Sequence, residues 1–427
     1  MQEFFDECSK MGYHAPKEVE VKDETIDLLL PQNFKPTSAA QWASVIEKLN
    51  ALHKEEPSEQ PLTVGTDRGL SLEQPARYTG TFGCHGLGGA LRGAIGLFHA
   101  TQGYDNNVEA IKSVAQTFPR MVQHGDIREL KDPQSKFKPT DLFHCGPPCQ
   151  AFSPLGFLQG LSDHRGALYL ETARMAVSMG FKIIIVEMVS NIIRFCGGIV
   201  QHIMMQIFAE AGYEVSLDYD ISFRHGNLQT RRRIYTIVTN PRYGPHELLK
   251  PVVPLRTADH PTSMGDIMLP LEQIESDLWL PQDSMRVNAA PNTKPGQPRV
   301  AGYRGKGDRQ SDRDPGVVYH HAGGCPSMTR NFLGWLRKEN VITRLHLIEA
   351  LRVFGLEDTT PLPKDRDKAT ELIANTEPVA LAKAHLLQAH QWLEDTAELR
   401  VGLPDGLTPE PRTKHAADEI TENWINH

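Results

Sequence analysis

No run of about 18 apolar residues occurs in this 427-residue chain, which excludes a membrane-spanning helix. The first residues (Met1, Gln2, Glu3, then Asp6 and Glu7) lack the basic-then-apolar pattern of a signal peptide. The expected location is therefore intracellular: cytoplasm or nucleoid in a prokaryote or virus, nucleus in a eukaryote, with no membrane partner. Cysteine is sparse. Cys8, Cys84, Cys145, Cys149, Cys196 and Cys325 form no Cys-x-x-Cys pair and meet no zinc-finger histidine pair, which argues against a structural metal or a disulfide framework. By default each is a small buried hydrophobe. There are no internal repeats. Net basic charge is also missing: at −8 the chain is unsuited to coating nucleic acid non-specifically.

What charge there is lies unevenly. Residues 1–76 and 390–427 are acidic, whereas residues 294–337 carry Lys294, Arg299, Arg304, Lys306, Arg309, Arg313, Arg330 and Arg337 against Asp308, Asp312 and Asp314. That interior stretch, interleaved with Tyr303, Tyr319 and Trp335, is a candidate for phosphate and groove contacts, or else a solvated loop. Arg304, Lys306, Arg309 and Arg330 are its expected nucleic-acid ligands.

Residues 1–76 have the pattern of an acidic extension. One amphipathic helix carries Trp42, Val45, Ile46, Leu49 and Leu52, suited to packing on the main body or to binding a protein partner. From about residue 78 short β-like runs alternate with helical stretches ended by glycine, which predicts an α/β sheet. Residues 166–179 are expected as a helix stopped by Gly180, and residues 182–186 as a buried strand. Residues 199–211 are expected as a helix closed by Gly212, 213–223 and 233–239 as strands, and 379–393 as a final helix. Residues 241–320 are rich in Pro, Gly, Asn and Arg with little periodicity.

Ligands in such sheets sit at the carboxyl ends of strands. The glycines of Gly86-Leu87-Gly88-Gly89 would let a nucleotide-like cofactor approach the backbone at a helix N-terminus. Asp105, about 20 residues on, would accept from ribose hydroxyls. In Cys145-Gly146-Pro147-Pro148-Cys149-Gln150 two prolines hold a thiol at the sheet's mouth, a site for a nucleophile. Glu187 follows a strand at the same edge; if buried, it becomes a proton donor near neutrality. Arg231 and Arg233 alternate onto one face ahead of a strand, either as solvated charge or as anion and base contacts.

Taken in order, these elements resemble the DNA cytosine-5 methyltransferase family from about Tyr78 to Leu393. The resemblance runs through the glycine loop, Asp105 to Phe118-Pro119, Gly125-Asp126-Ile127, the Pro-Pro-Cys149 loop, Asp163 to Leu168, and Glu187-Met188-Val189. It continues with Gln229 to Arg233, Cys325 to Thr329, Arg344, residues 349–355, Ala374-Asn375 and Pro378-Val379. It implies a doubly wound, Rossmann-like α/β sheet that uses S-adenosyl-L-methionine, with a small irregular target-recognition domain. The expected divisions are a first catalytic part at 77–265, a target-recognition region at 266–343, a completing catalytic part at 344–396 and a loose tail at 397–427. The family also implies catalysis by Cys149, Glu187, Arg231 and Arg233 on a cytosine flipped from duplex DNA. Gly86, Gly88, Asp105, Asp126, Ile127, Pro148, Leu168 and Asn375 would line the cofactor site. Phe82 and Cys84 replace the family's usual acid and aromatic, and Met188 its usual asparagine. An RNA (tRNA) cytosine methyltransferase and a catalytically silent DNA-binding homologue stay open as alternatives.

Overall fold

A computed structural model describes residues 76–127, 136–148, 164–193, 198–280, 285–287, 297–304, 317–328 and 334–400. The expected helix around residues 42–52 and the tail from 401 on lie outside the described residues. So do Cys149, Lys306, Arg309 and Arg330, and the side chain of Arg304.

The chain runs β1 (Tyr78–Gly83), α1 (Gly89–Gly93), β2 (Phe98–Tyr104), α2 (Val108–Thr117), β3 (Val122–His124), β4 (Leu142–Cys145), α3 (His164–Met179) and β5 (Ile183–Val189). It continues with α4 (Ile199–Glu210), β6 (Glu214–Ile221) and β7 (Arg232–Thr239). The short strands β8 (Met285–Val287), β9 (Val300–Arg304), β10 (Val317–His320), β11 (Gly334–Leu336) and β12 (Ile342–Arg344) come next. The helices α5 (Leu347–Phe354), α6 (Arg366–Asn375) and α7 (Val379–Arg400) complete it.

Seven strands form the expected doubly wound sheet, in the order β3-β2-β1-β4-β5-β7-β6. All neighbours are parallel except β7, which runs against both β5 and β6. The run Ile183-Ile-Ile-Val186 suits a strand covered on both faces, because branched side chains pack well on a pleated surface. Ile184, Val186 and Met188 enter one core with α3 and α4, while Ile183 and Ile185 enter the other with Leu381, Leu386 and Trp392 of α7. Gly180 and Gly212 follow α3 and α4, as expected.

Several boundaries differ from the sequence expectation. β5 runs on to Val189, three residues past the expected end, so Glu187 lies within the strand and not after it. β6 stops at Ile221 because Ser222 turns inward, its amide and hydroxyl both donating to the Arg231 carbonyl at 3.0 Å. The last helix runs on to Arg400, past both Leu393 and the division at 397, since no glycine or proline interrupts it before Gly402. The region expected to be irregular holds a five-stranded sheet, β12-β11-β10-β9-β8. Its strands of three to five residues are too short to leave a period in the sequence.

The aromatics of the basic stretch are also reassigned. Tyr319 and Trp335 are buried, their rings 5.4 Å apart, in a cluster with Leu87, Leu351 and Phe354. Burial removes them from any groove contact. Arg337 is buried too: its Nη1 and Nη2 donate to the Glu349 carboxylate at 2.8 and 2.9 Å, and its Nε to Thr343 Oγ1 at 2.6 Å. Glu349 also accepts from the Leu269 and His346 amides. Among the described residues no helix is long and apolar enough to cross a membrane.

Removing one partner of a buried ion pair leaves an uncompensated charge, a loss of about 3–5 kcal/mol. Glu349→Ala should lower the unfolding free energy of this sheet by that amount in a guanidinium titration; a loss below about 1 kcal/mol would contradict the assignment.

Candidate active site at the carboxyl edge of the sheet

The strand order reverses between β1 and β4. β1 pairs with β2 on one side and β4 on the other, so the chains leaving β1 and β4 diverge over a crevice at their carboxyl ends, where ligands bind in folds of this type. Gly83 and Cys145 are partners in register, which starts the two loops side by side.

The loop from β1 is held by backbone conformation and by contacts from several directions. Cys84, Gly86 and Gly88 all have positive φ (47°, 54° and 80°), a conformation that suits the glycines and strains Cys84. Asp105 Oδ2 accepts from the Gly86 amide at 3.0 Å and Oδ1 from the Asn107 amide at 2.8 Å. The Leu87 amide donates to Thr376 Oγ1 at 3.2 Å, and His85 Nε2 lies 2.9 Å from Gln123 Oε1. Gly89 is required by packing, since a Cβ there would overlap the Glu377 carbonyl. The helix after this loop, α1, has only five residues, so the loop's own amides, and not a helix dipole, are what it can offer a ligand.

The other residues expected at the cofactor site are spread around this edge. Asp126 and Ile127 follow β3, and Ile127 is buried with Leu168 in one apolar cluster. Pro148 is half-buried after β4. Asn375 ends α6, its carbonyl 3.9 Å from where a Gly86 Cβ would stand, and is itself exposed.

The antiparallel direction of β7 builds the second half of the site. In a parallel strand the residues before it would lie at the opposite edge; here Arg233 is brought opposite Val189, at the carboxyl end of β5. Glu187 and Arg233 are both buried, and Arg233 Nε is ion-paired with Glu187 Oε1. The other oxygen, Oε2, lies 3.4 Å from the position a Cβ would take on Gly146, at the start of the segment leading to Cys149. Arg231 is buried as well, with Nη1 donating to the Met328 carbonyl at 3.3 Å and its guanidinium 5.5 Å from the Phe354 ring centre. Neither arginine is a solvated charge.

Three groups escaped sequence reasoning. Glu377, in the turn between α6 and α7, accepts from the Tyr235 hydroxyl at 2.6 Å, and its Oε2 lies 3.3 Å from His144 Nε2. Burial and the Glu187 charge push the Glu377 carboxyl up to about 8. Burial drives His144 down to about 3, leaving it neutral, and raises Tyr235. A histidine inside the apolar strand Leu142–Cys145 was the one visible signal; Glu377 before Pro378 looks like an ordinary turn residue.

The profile of the C-5 cytosine-specific DNA methylase family matches residues 82–390. The type II methyltransferase M.NgoPII of Neisseria gonorrhoeae is 30% identical over 156 residues, covering 36% of this chain and 45% of that protein. The type II methyltransferase M.HhaI of Haemophilus parahaemolyticus is 26% identical over 259 residues, 59% of this chain and 76% of that protein. The chain thus matches under half the length of the first of these relatives. A mutant of Spodoptera frugiperda DNMT2 shares the fold, with a TM-score of 0.52 at 13% identity over 73% of this chain and 99% of that one. With the family profile spanning both the glycine loop and the Glu187–Arg233 edge, the chain belongs to the C-5 cytosine-specific DNA methylase family.

Proposed function

We propose that the chain is an S-adenosyl-L-methionine-dependent DNA cytosine-5 methyltransferase that works through a covalent bond between Cys149 and C6 of a flipped-out cytosine. The observation that carries this reading is the placement of Glu187, with one oxygen on Arg233 and the other over Gly146, three residues before Cys149. A base entering between that carboxyl and the Cys149 loop meets an acid on one edge and a nucleophile at C6.

In this mechanism the Cys149 thiolate adds to C6 while Glu187 donates to N3, so that charge does not build up on the ring. Arg233 fixes the Glu187 carboxyl, and Arg231 lends positive charge toward the base O2. The bond to C6 makes C5 a carbon nucleophile; loss of its proton and elimination of the sulfur then release the product. Flipping is needed because C5 and C6 are stacked inside a duplex. The carboxyl edge suits the methyl donor, which when bound supplies an electrophilic methyl group on a sulfonium. Gly86 and Gly88 bring bare backbone to the crevice, and each Asp105 oxygen uses one acceptor site on a backbone amide, leaving capacity for a ribose hydroxyl. Asp126, Ile127, Pro148, Leu168 and Asn375 complete the proposed donor site. Arg304, Lys306, Arg309 and Arg330 are proposed to contact phosphates.

An oligonucleotide duplex carrying 5-fluorocytosine should form a denaturant-stable adduct with the protein and donor, because fluorine at C5 blocks the final proton loss. Cys149→Ser should form none. Failure of the wild type to form an adduct with any cytosine-containing duplex, or adduct formation on tRNA alone, would overturn the DNA assignment. Neutralising Arg304, Lys306 and Arg309 should weaken DNA binding and reduce the slope of log K against log salt by roughly 0.9 for each phosphate that the protein no longer neutralises. An unchanged slope would remove these residues from the interface.

A further inference from the structure

On the sheet face covered by α7, two carboxyl groups share one buried patch. Glu187 lies near the carboxyl end of β5 and Glu377 reaches in from the turn before α7, with side chains 10% and 8% exposed. The groups around them come from every neighbouring element. β4 supplies His144, and β7 supplies Tyr235, paired in register with Glu187, together with Arg233; Arg231 lies just ahead of it. α7 supplies His385, stacked on Tyr235 with ring centres 3.5 Å apart and its Nε2 3.3 Å from Asp220 Oδ2 of β6.

Two carboxylates so enclosed hold one proton between them more readily than two negative charges. The guanidinium of Arg233 sits on Glu187, whereas the oxygens of Glu377 meet a phenol and a neutral imidazole. Glu377 is therefore the member that takes the proton. Burial and the neighbouring charge keep it there up to about pH 8.

We propose that Glu377 is a proton-holding residue that acts through Glu187, storing the proton that Glu187 passes to N3 of the target cytosine; this rests on the reading of Glu187 given above. As the base enters, the O–H bond on Glu377 breaks while one forms on Glu187, and that proton moves to N3 as sulfur bonds to C6. Both carboxyls are then ionised beside Arg231 and Arg233, whose two positive charges match them. When elimination restores the aromatic ring, N3 returns the proton by the same route and the C5 proton leaves to water. Because the acid form is required, turnover falls as pH rises through about 8.

Infrared difference spectra of the full chain without DNA, titrated between pH 6 and 10, test where the proton resides. The carbonyl band of a protonated carboxyl should vanish with a midpoint near 8, be missing in Glu377→Gln, and move to lower pH in Glu187→Gln. A wild type without this band, or a band that survives in Glu377→Gln, overturns the proposal. Methylation kinetics test its use. Glu377→Gln should lower kcat at pH 7 by about tenfold or more, with KM for DNA unchanged, and should lose the limb near pH 8. Glu377→Asp, which keeps an acid, should recover part of the rate and an alkaline limb. A Glu377→Gln enzyme with the wild-type kcat and pH profile overturns the proposal, as does one in which kcat and KM change together while the limb stays in place. If the wild type methylates no DNA, the functional reading falls by itself, and the infrared result alone decides the place of the proton.

Discussion

The direction of a single strand organises the carboxyl edge of the sheet. β7 is inserted between β5 and β6 and runs against both, so the arginines at its start, Arg231 just ahead of it and Arg233 within it, arrive where β5 ends. Only that reversal lets Arg233 clasp Glu187 across adjacent strands, and only a clasped Glu187 can be buried at low cost, since an unpaired carboxylate out of water is strongly disfavoured. The pair in turn holds a well-oriented carboxyl over Gly146, three residues before Cys149.

The two halves of the site meet at Glu377. Its carbonyl lies so close to Gly89 that no side chain fits there, and its carboxyl reaches the patch occupied by Glu187, Tyr235 and His144. The turn after α6 thus touches the glycine loop and enters the buried patch beside Tyr235 and His144. Thr376, beside it, accepts from the Leu87 amide, and Leu87 is itself buried in the core beneath the second sheet. Movement of that turn would be felt both at the glycine loop and at the carboxyl patch.

Much of the fold was legible from the residues, and the reasons are particular. Ile183-Ile-Ile-Val186 is an apolar run that only a strand covered on both faces accommodates, and Gly180 and Gly212 marked the ends of the helices before β5 and β6. Glu187, Arg231 and Arg233 were legible because charged residues flanking such strands gather at one edge. The second sheet was not legible, since strands of three to five residues leave no alternation to count. Tyr319, Trp335 and Arg337 looked like a basic, aromatic surface. Their burial depends on Glu349 and Leu351, which are remote from the stretch in pattern though near it in space. Glu377 was invisible for a similar reason: its neighbours come from β4, β5 and β7, and no local pattern announces them.

The central claim is that Glu187 and Arg233 act as one unit at the base. A double-mutant cycle on kcat/KM for methylation of a cytosine-containing duplex, using Glu187→Gln, Arg233→Gln and the pair together, tests it most directly. The account predicts strong non-additivity, with the double variant about as slow as the slower single variant and a coupling of at least about 1.5 kcal/mol. Additive losses would mean that the two side chains serve the reaction separately, and would contradict it.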